Sequence, residues 1–290
     1  MITRSDVRLL GVYRELEYSP GRHASNNAII LRCVGQALER AGAAVDLVSL
    51  DDARTRWSDA TLIFSMCQGP AALAELARWK AQGALILNDP DASRRTYRDQ
   101  LCPLLCRDGI PFPRSLFVST NGTSDHAAYH ALFPAGRVWM KRMDVHATCP
   151  DDVVGIENWS ELEHALAAFH RRGLDEIVLQ EHRPGDEVKF YGVFGTTFFW
   201  HFYPCRHEGY PFSADALQCV AERAAAEVGV GIYGGDAIVA PDGSLSVIDL
   251  NDWPSFAPCC DHAAEAIASY ILARARRDAP VVQVPGASLA

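Results

Sequence analysis

The sequence predicts a small doubly wound α/β unit over roughly residues 1–90, followed by a longer α+β region. Two observations predict the first part: short apolar runs alternate with segments of helical periodicity between residues 7 and 88, and strands separated by helices pair in parallel through crossover connections. The second part follows from a change of pattern. Beyond a linker at 121–124, rich in Asn, Gly, Thr and Ser, several strands lie close together around short turns, as hairpins do.

Taken in order, residues 7–13 (VRLLGVY) read as a buried strand, and the polar EYSPGRHASNN that follows reads as a turn. Residues 28–41 carry apolar side chains at helical spacing through Ile29, Ile30, Cys33, Val34 and Leu38. Strands are expected at 44–50, 61–66 and 84–88, with a helix at 71–82. A helical stretch at 91–108 is stopped by Gly109 and the two prolines after it, and 116–118 begins an extended segment. Then come a strand at 138–142, an amphipathic helix at 161–172 and a strand at 176–181. Segments 188–194 and 196–203 read as a hairpin turning at Gly195. A helix at 213–228 precedes two strands, 234–239 and 245–250, around the turn APDG. A last helix at 262–275 leads into a loose tail.

Composition narrows the function. With 49% hydrophobic and 22% charged residues the chain is an ordinary globular protein. A formal charge of −9 argues against a general binder of nucleic acid or anionic membrane. The nine cysteines form no paired CxxC spacing, which argues against a zinc site, and scattered thiols suit a reducing cytoplasm. No stretch approaches the ~18 apolar residues of a membrane span, and the opening MITRSDVRLL holds no apolar core of signal-peptide length. No nucleic-acid or membrane partner is therefore expected, and a homodimer is one assembly.

The strongest chemical signal is GGDAIVAPDGSLSVIDLNDWPSF. Asp249 and Asn251 stand two apart on one strand and so share a face. The turn brings Asp236 alongside as a cross-strand neighbour. Three oxygen donors on one surface suit Mg²⁺, which takes hard ligands and completes its shell with phosphates and water. A hairpin with polar residues facing water explains APDG equally well, but it explains IDLND less well, since Asp and Asn are poor strand residues. A second signal is Lys141 within VWMKR, either a point charge that reaches a phosphate or a snorkelling edge residue. A third is LQEHRPGDEVKFYG, where a strand runs into a Pro-Gly turn followed by carboxylates. It offers backbone groups to an adenine edge and an acceptor to ribose, or it is a solvated turn. Finally, the segments 19–27 and 67–70 leave the carboxyl ends of strands, where α/β sheets gather ligands. Arg22, His23, Asn26 and Asn27 in the first could hold a polar or anionic substrate, though Pro, Gly, Ser and Asn favour turns in any case.

Together these segments resemble the ATP-grasp superfamily over roughly residues 84–275, through NDP (88–90), GIPFP (109–113), Lys141, QEHRPGDE (180–187), Asp236, Asp249 and Asn251. The likeness is to carboxylate–amine ligases of the RimK-like kind, with some features of the inositol-phosphate kinases. The resemblance implies an N-terminal α/β (pre-ATP-grasp) domain at 1–90 and a connecting helix and strand at 91–120. Two α+β lobes follow, a small one at 121–194 and a large one at 195–278, and then a flexible tail at 279–290. It implies ATP and Mg²⁺ as cofactors. Lys141 would contact the phosphates, Gln180, Glu181, His182 and Arg183 would line the adenine, and Glu187 would hold the ribose. Asp236, Asp249 and Asn251 would hold Mg²⁺. Lys189 and Arg206 would join Lys141 near the transferred phosphoryl group or the acceptor, and Arg22, His23, Asn26, Trp253 and Ser255 would face the substrate.

Three departures accompany the likeness. The Lys usual in the helix after the NxP segment is replaced by Gln100, with Arg94, Arg95 or Arg98 as substitutes. The loop 143–152 has no Gly to close on phosphates, which leaves His146 and Thr148 as possible contacts. Asp249 stands where most ligases of the family place Glu. The implied activity is an ATP- and Mg²⁺-dependent ligase that activates a small-molecule carboxylate as an acyl phosphate for attack by an amine or similar nucleophile. The alternative is a kinase of the same fold acting on a hydroxyl, and a non-enzymatic nucleotide-binding module ranks below both.

Overall fold

The computed structural model describes residues 7–19, 22–121, 129, 132 and 137–278. The first unit is a parallel sheet of β1 (Arg8–Val12), β2 (Ala44–Val48), β3 (Leu62–Ser65) and β4 (Ile86–Leu87) in the order β2-β1-β3-β4. Its helices are α1 (Arg22–Arg40), the short α2 (Leu50–Ala53) and α3 (Pro70–Ala81). The polar segment expected as a turn up to Asn27 is already helical from Arg22. Most of the expected loop at 19–27 is thus the start of a longer helix, because polar residues occupy its first turns.

Two antiparallel sheets follow. The second sheet runs in the order β5 (Ser115–Ser119), β8 (Glu176–Glu181), β6 (Val138–Arg142), β7 (Val153–Ile156). The third runs β10 (Phe199–Phe202), β9 (Asp186–Val193), β11 (Ile232–Val239), β12 (Leu245–Asp252). Residues 186–193, expected with the small lobe, therefore pair into the third sheet. The edge strand β7 was not expected.

The stretch expected as one helix at 91–108 is two, α4 (Pro90–Arg95) and α5 (Arg98–Arg107). Tyr97 between them has extended backbone, and it is fully buried with its hydroxyl donating to the Gln68 carbonyl. Asn158 caps α6 (Trp159–Arg171) and Ser213 caps α7 (Ala214–Val228), each side chain accepting an N–H three residues on. Gly229, at φ 87°, ends α7 in the left-handed conformation that glycine takes without strain. The linker residues 122–124 and the tail 279–290 lie outside the described residues.

One core joins the first unit to the third sheet. Leu9, Ile30, Val34, Leu38 and Phe64 pack with Ile232, Trp253, Phe256 and Ile267, the last on α8 (Cys260–Asp278). Asn88 of the NDP segment pins the same junction. Its Oδ1 accepts from the N–H groups of Gly231 and Ile232 (2.9 and 3.0 Å), and its amide donates to the Ile232 carbonyl (2.7 Å) and to Asp252. The second sheet has its own core of Val138, Met140, Ile177, Leu179 and Phe169. Among the described residues, no helix is long and apolar enough to cross a membrane.

Candidate active site

A cavity of about 1170 Å³ lies where the three sheets meet. Its floor is the third sheet. Along β9, Glu187, Lys189 and Tyr191 line the cavity while Val188 and Phe190 between them are buried in the core, the two-residue alternation of a strand. Pairing register then sets a row across three strands: Lys189 opposite Asp236, and Asp236 opposite Asp249. The neighbouring row is Tyr191, Gly234 and Asn251. A Cβ on Gly234 would meet Tyr191 and Pro254 atoms at 2.7 Å, so glycine is what lets that row lie flat. All three expected metal ligands thus line one cavity with Lys141.

Glu187, Asp236 and Asp249 on the floor each have a cation. Lys189 Nζ donates to Asp236 Oδ1, with Glu187 further off at 3.8 Å. Asp249 pairs with Arg98 in a buried ion pair. Of the three arginines considered for the missing lysine, Arg98 alone lines the cavity. Arg94 pairs with Asp99 (2.6 Å), and Arg95 donates to the Val228 carbonyl (2.8 Å). Burial raises the Asp236 carboxyl above its ordinary range despite Lys189. Burial acts the same way on Asp249, but Arg98 and then Lys141 outweigh it and hold that carboxyl below its ordinary range. Asp249 therefore stays anionic, as a metal ligand must.

The second sheet forms the roof. Lys141 is buried on β6 and donates to Gln180 Oε1 on β8 (2.6 Å) and to the Ile248 carbonyl (3.4 Å). Burial, and then the neighbouring Arg98 charge, push its ammonium down to about 8. Gln180 keeps a buried amide nitrogen with no partner among the described residues. Glu181, His182 and Arg183 continue the wall, but much of their capacity is engaged. The Glu181 carboxylate pairs with Arg114 and Arg183, each at 3.2 Å, and its N–H donates to the Arg114 carbonyl (2.9 Å). The Trp139 indole donates to His182 Nδ1 (3.1 Å).

Two loops close the sides. The glycine-free loop 143–152 is organised by Asp152, which is fully buried. Its carboxylate accepts from the Thr148 N–H (2.7 Å), the Thr148 hydroxyl (3.0 Å) and the Cys149 N–H (3.2 Å), and pairs with Arg172. Burial pushes that carboxyl up, but these donors prevail and bring it to about 2. His146 meets Thr96 Oγ1 at 2.9 Å, and burial pushes its imidazole down to about 4, so it is neutral. His146 and Thr148 line the cavity, though both already have protein partners. On the other side Asp186 accepts N–H bonds from Glu208, Gly209 and Tyr210 (2.8, 2.8 and 3.0 Å). It thereby anchors the segment that brings Arg206, an exposed residue, to the cavity rim.

The substrate-side expectations divide. Ser255 lines the cavity; Trp253 does not. Trp253 is fully buried in the shared core and stacks on Phe64 (centroids 6.3 Å apart). Its left-handed backbone, φ 41°, turns the ring inward before Pro254 and Ser255 return to the cavity. Asn26 is not among the lining residues, whereas Asn27 is. Arg22 and His23 open α1, but their side chains lie outside the described residues. Gln68, from the segment 67–70 expected at a strand's carboxyl end, and Arg14 and Tyr18, which sequence reasoning did not single out, complete the wall of the first unit. The signal for Arg14 and Gln68 was their place just beyond the carboxyl ends of β1 and β3.

The residues fit a magnesium nucleotide. Two carboxylates and an amide oxygen on one face form a hard-oxygen set. A buried amide donor without a partner at Gln180 and a buried ammonium at Lys141 suit the polar edge and the phosphates of a nucleotide.

No protein-family model matches this sequence, and no curated protein does. Solved structures do match. The D-alanine–D-alanine ligase from Coxiella burnetii superposes with a TM-score of 0.70 at 13% identity, covering 93% of this chain and 96% of that one. A RimK domain ATP-grasp protein from Sphaerobacter thermophilus gives 0.67 at 17%, covering 91% and 99%. The ATP-grasp ligase PsnB, in complex with minimal precursor, Mg and ADP, gives 0.64 at 17%, covering 93% and 98%. The chain has the ATP-grasp fold.

Proposed function

We propose, starting from the ATP-grasp fold, that this chain is an ATP- and Mg²⁺-dependent ligase that joins a carboxylate to an amine or similar nucleophile. The observation that carries the reading is the meeting of Lys141 and the unpartnered Gln180 amide with the row of Lys189, Asp236 and Asp249, and with Asn251, on one cavity. Two of the solved proteins that match by fold, the D-alanine–D-alanine ligase and PsnB, are ligases, which supports the class.

ATP bound here with Mg²⁺ would supply the phosphoryl group that converts a carboxylate into an acyl phosphate. Asp236, Asp249 and Asn251 would hold the metal, and Lys141 the phosphates. Gln180 would donate to the base through its free amide hydrogens. Glu181, His182 and Arg183 would line the base, and Glu187 would accept from the ribose. A carboxylate and a phosphate tail repel each other, and Lys141, Lys189, Arg98 and Arg206 offset that repulsion where the charge concentrates. Such catalysis is positioning and electrostatics, with no covalent enzyme intermediate. The loop 143–152 and the segment 205–210 would limit access of water to the activated carboxylate.

Incubation with Mg-ATP and mixed pools of carboxylates and amines tests the proposal. Release of ADP together with free phosphate and a condensed product supports it. ADP with a phosphorylated hydroxyl compound, and no free phosphate, would move the assignment to a kinase, the reading that Asp249 in place of Glu favours.

A further inference from the structure

We infer that the Arg14 guanidinium is the anion-binding end of the acceptor subsite, and that the anion it takes is a carboxylate of the substrate; this rests on the ligase reading above. Arg14 lies just beyond β1, and three backbone carbonyls hold its side chain. Nε donates to Met66 (2.9 Å), while one terminal nitrogen donates to Trp253 (2.6 Å) and, at longer range, to Asp252 (3.4 Å). Met66 follows β3, whereas Asp252 and Trp253 end and follow β12, so the fork is fixed from both sides of the junction.

Carbonyls orient a guanidinium but do not neutralise it, and a charge withdrawn from water is ordinarily paired. The carboxylates whose charge acts on Arg14 are Asp252 and, more weakly, Glu15. Glu15 is engaged elsewhere, accepting the N–H groups of Gln68 and Gly69 (3.1 and 3.0 Å). Asp252 is bonded by Asn88 through Oδ1, its Oδ2 is buried without a hydrogen bond among the described residues, and it meets Arg14 through its backbone carbonyl and not through its carboxylate. No carboxylate among the described residues forms an ion pair with Arg14. This sets it apart from Arg98 and Lys189, which face the same cavity with Asp249 and Asp236 as partners. The second terminal nitrogen of Arg14 makes no hydrogen bond among the described residues, and the side chain lines the cavity.

The surroundings fit an anion. Tyr18, Asn27, Gln68 and Ser255, which line the same cavity, are polar and uncharged at neutral pH; Asp252 lines it too. Arg14 and Asn27 also line a second cavity of about 400 Å³, which includes Leu16, Ala28 and Leu50 together with the carboxylates Glu15 and Asp51. A substrate held by its carboxylate at Arg14 therefore has room on either side for the rest of its length. A planar, weakly hydrated guanidinium locked in one orientation is matched to a carboxylate.

Calorimetric titration of the full chain with succinate and, separately, inorganic phosphate tests this, each run with and without Mg-AMPPNP. Succinate should bind, and Arg14→Gln should weaken it at least about tenfold, the loss of one charge-assisted pair. AMPPNP affinity should change by less than about twofold, as expected of a contact the nucleotide does not share. Equal succinate affinity in both proteins, or binding of phosphate but not succinate, overturns the inference. Because Arg14→Gln removes junction hydrogen bonds, unmodified protein supplies a second measurement. Succinate should slow modification of Arg14 by phenylglyoxal, read by peptide mass spectrometry, and an unchanged rate counts against the subsite. Absence of AMPPNP binding would sink the nucleotide reading instead, and the nucleotide-free titrations keep the two failures apart.

Discussion

Asp249→Ala should destabilise the protein as well as impair any metal-dependent activity. Arg98 and Asp249 are 6% and 12% exposed as a pair, so solvent screens them little. Removing the carboxylate leaves a buried guanidinium whose other partner is the Arg142 carbonyl at 2.8 Å. Breaking a buried pair from one side costs about 3–5 kcal/mol. With a urea m value of about 3 kcal/mol/M, that lowers the unfolding midpoint by roughly 1–1.7 M. The double variant Arg98→Met/Asp249→Ala removes the stranded charge too, and should recover about 2 kcal/mol of the loss, since replacing both ions by apolar groups is far less costly than orphaning one. Urea unfolding followed by fluorescence of the buried Trp253 and its neighbours reads both variants. An Asp249→Ala midpoint equal to that of the parent protein would refute the reasoning, as would a double variant less stable than the single one.

Four other outcomes are expected. Lys141→Met should weaken Mg-AMPPNP binding roughly 10–100-fold in calorimetry, the worth of one hydrogen bond to a charged group. The same lysine sets a pH dependence: nucleotide affinity should fall as pH rises through about 8. Stability should move the other way, because the folded Lys141 value lies below the ordinary ~10.4, the folded chain binds fewer protons between the two values, and stability rises with pH across that window. Lys141→Met should flatten both curves. Asn251→Ala, which strands no buried ion, should raise the Mg²⁺ concentration needed for half-maximal ATP turnover at least about tenfold, and an unchanged requirement would remove Asn251 from the metal site. Asp186→Ala should speed amide hydrogen exchange at Glu208, Gly209 and Tyr210, whose N–H groups lose their common acceptor.

Much of this architecture was legible locally. The alternation in IDLND set Asp249 and Asn251 on one face, and the short turn before it set Asp236 opposite Asp249. Strands with strong apolar character, 138–142 and 176–181, have the bounds the sequence suggested. What escaped notice depends on distant partners. The break at Tyr97 follows from its buried hydroxyl reaching Gln68, and no feature of RTYRDQL announces it. The edge strand β7 is short, half-exposed and includes Gly155, which leaves it with little pattern. Trp253 follows the ligand strand directly, so proximity in sequence suggested proximity to substrate; one left-handed residue sends it to the core instead. Arg14 and Arg98 acquire their roles only when β1, β3, β12 and α5 come together.

A crystal structure with Mg-AMPPNP tests the central claim most directly. The account predicts the triphosphate between the second and third sheets beside Lys141, with Mg²⁺ at about 2.0–2.1 Å from oxygens of Asp236, Asp249 and Asn251. A nucleotide bound outside this cavity, or a metal ion that touches none of the three, would contradict it.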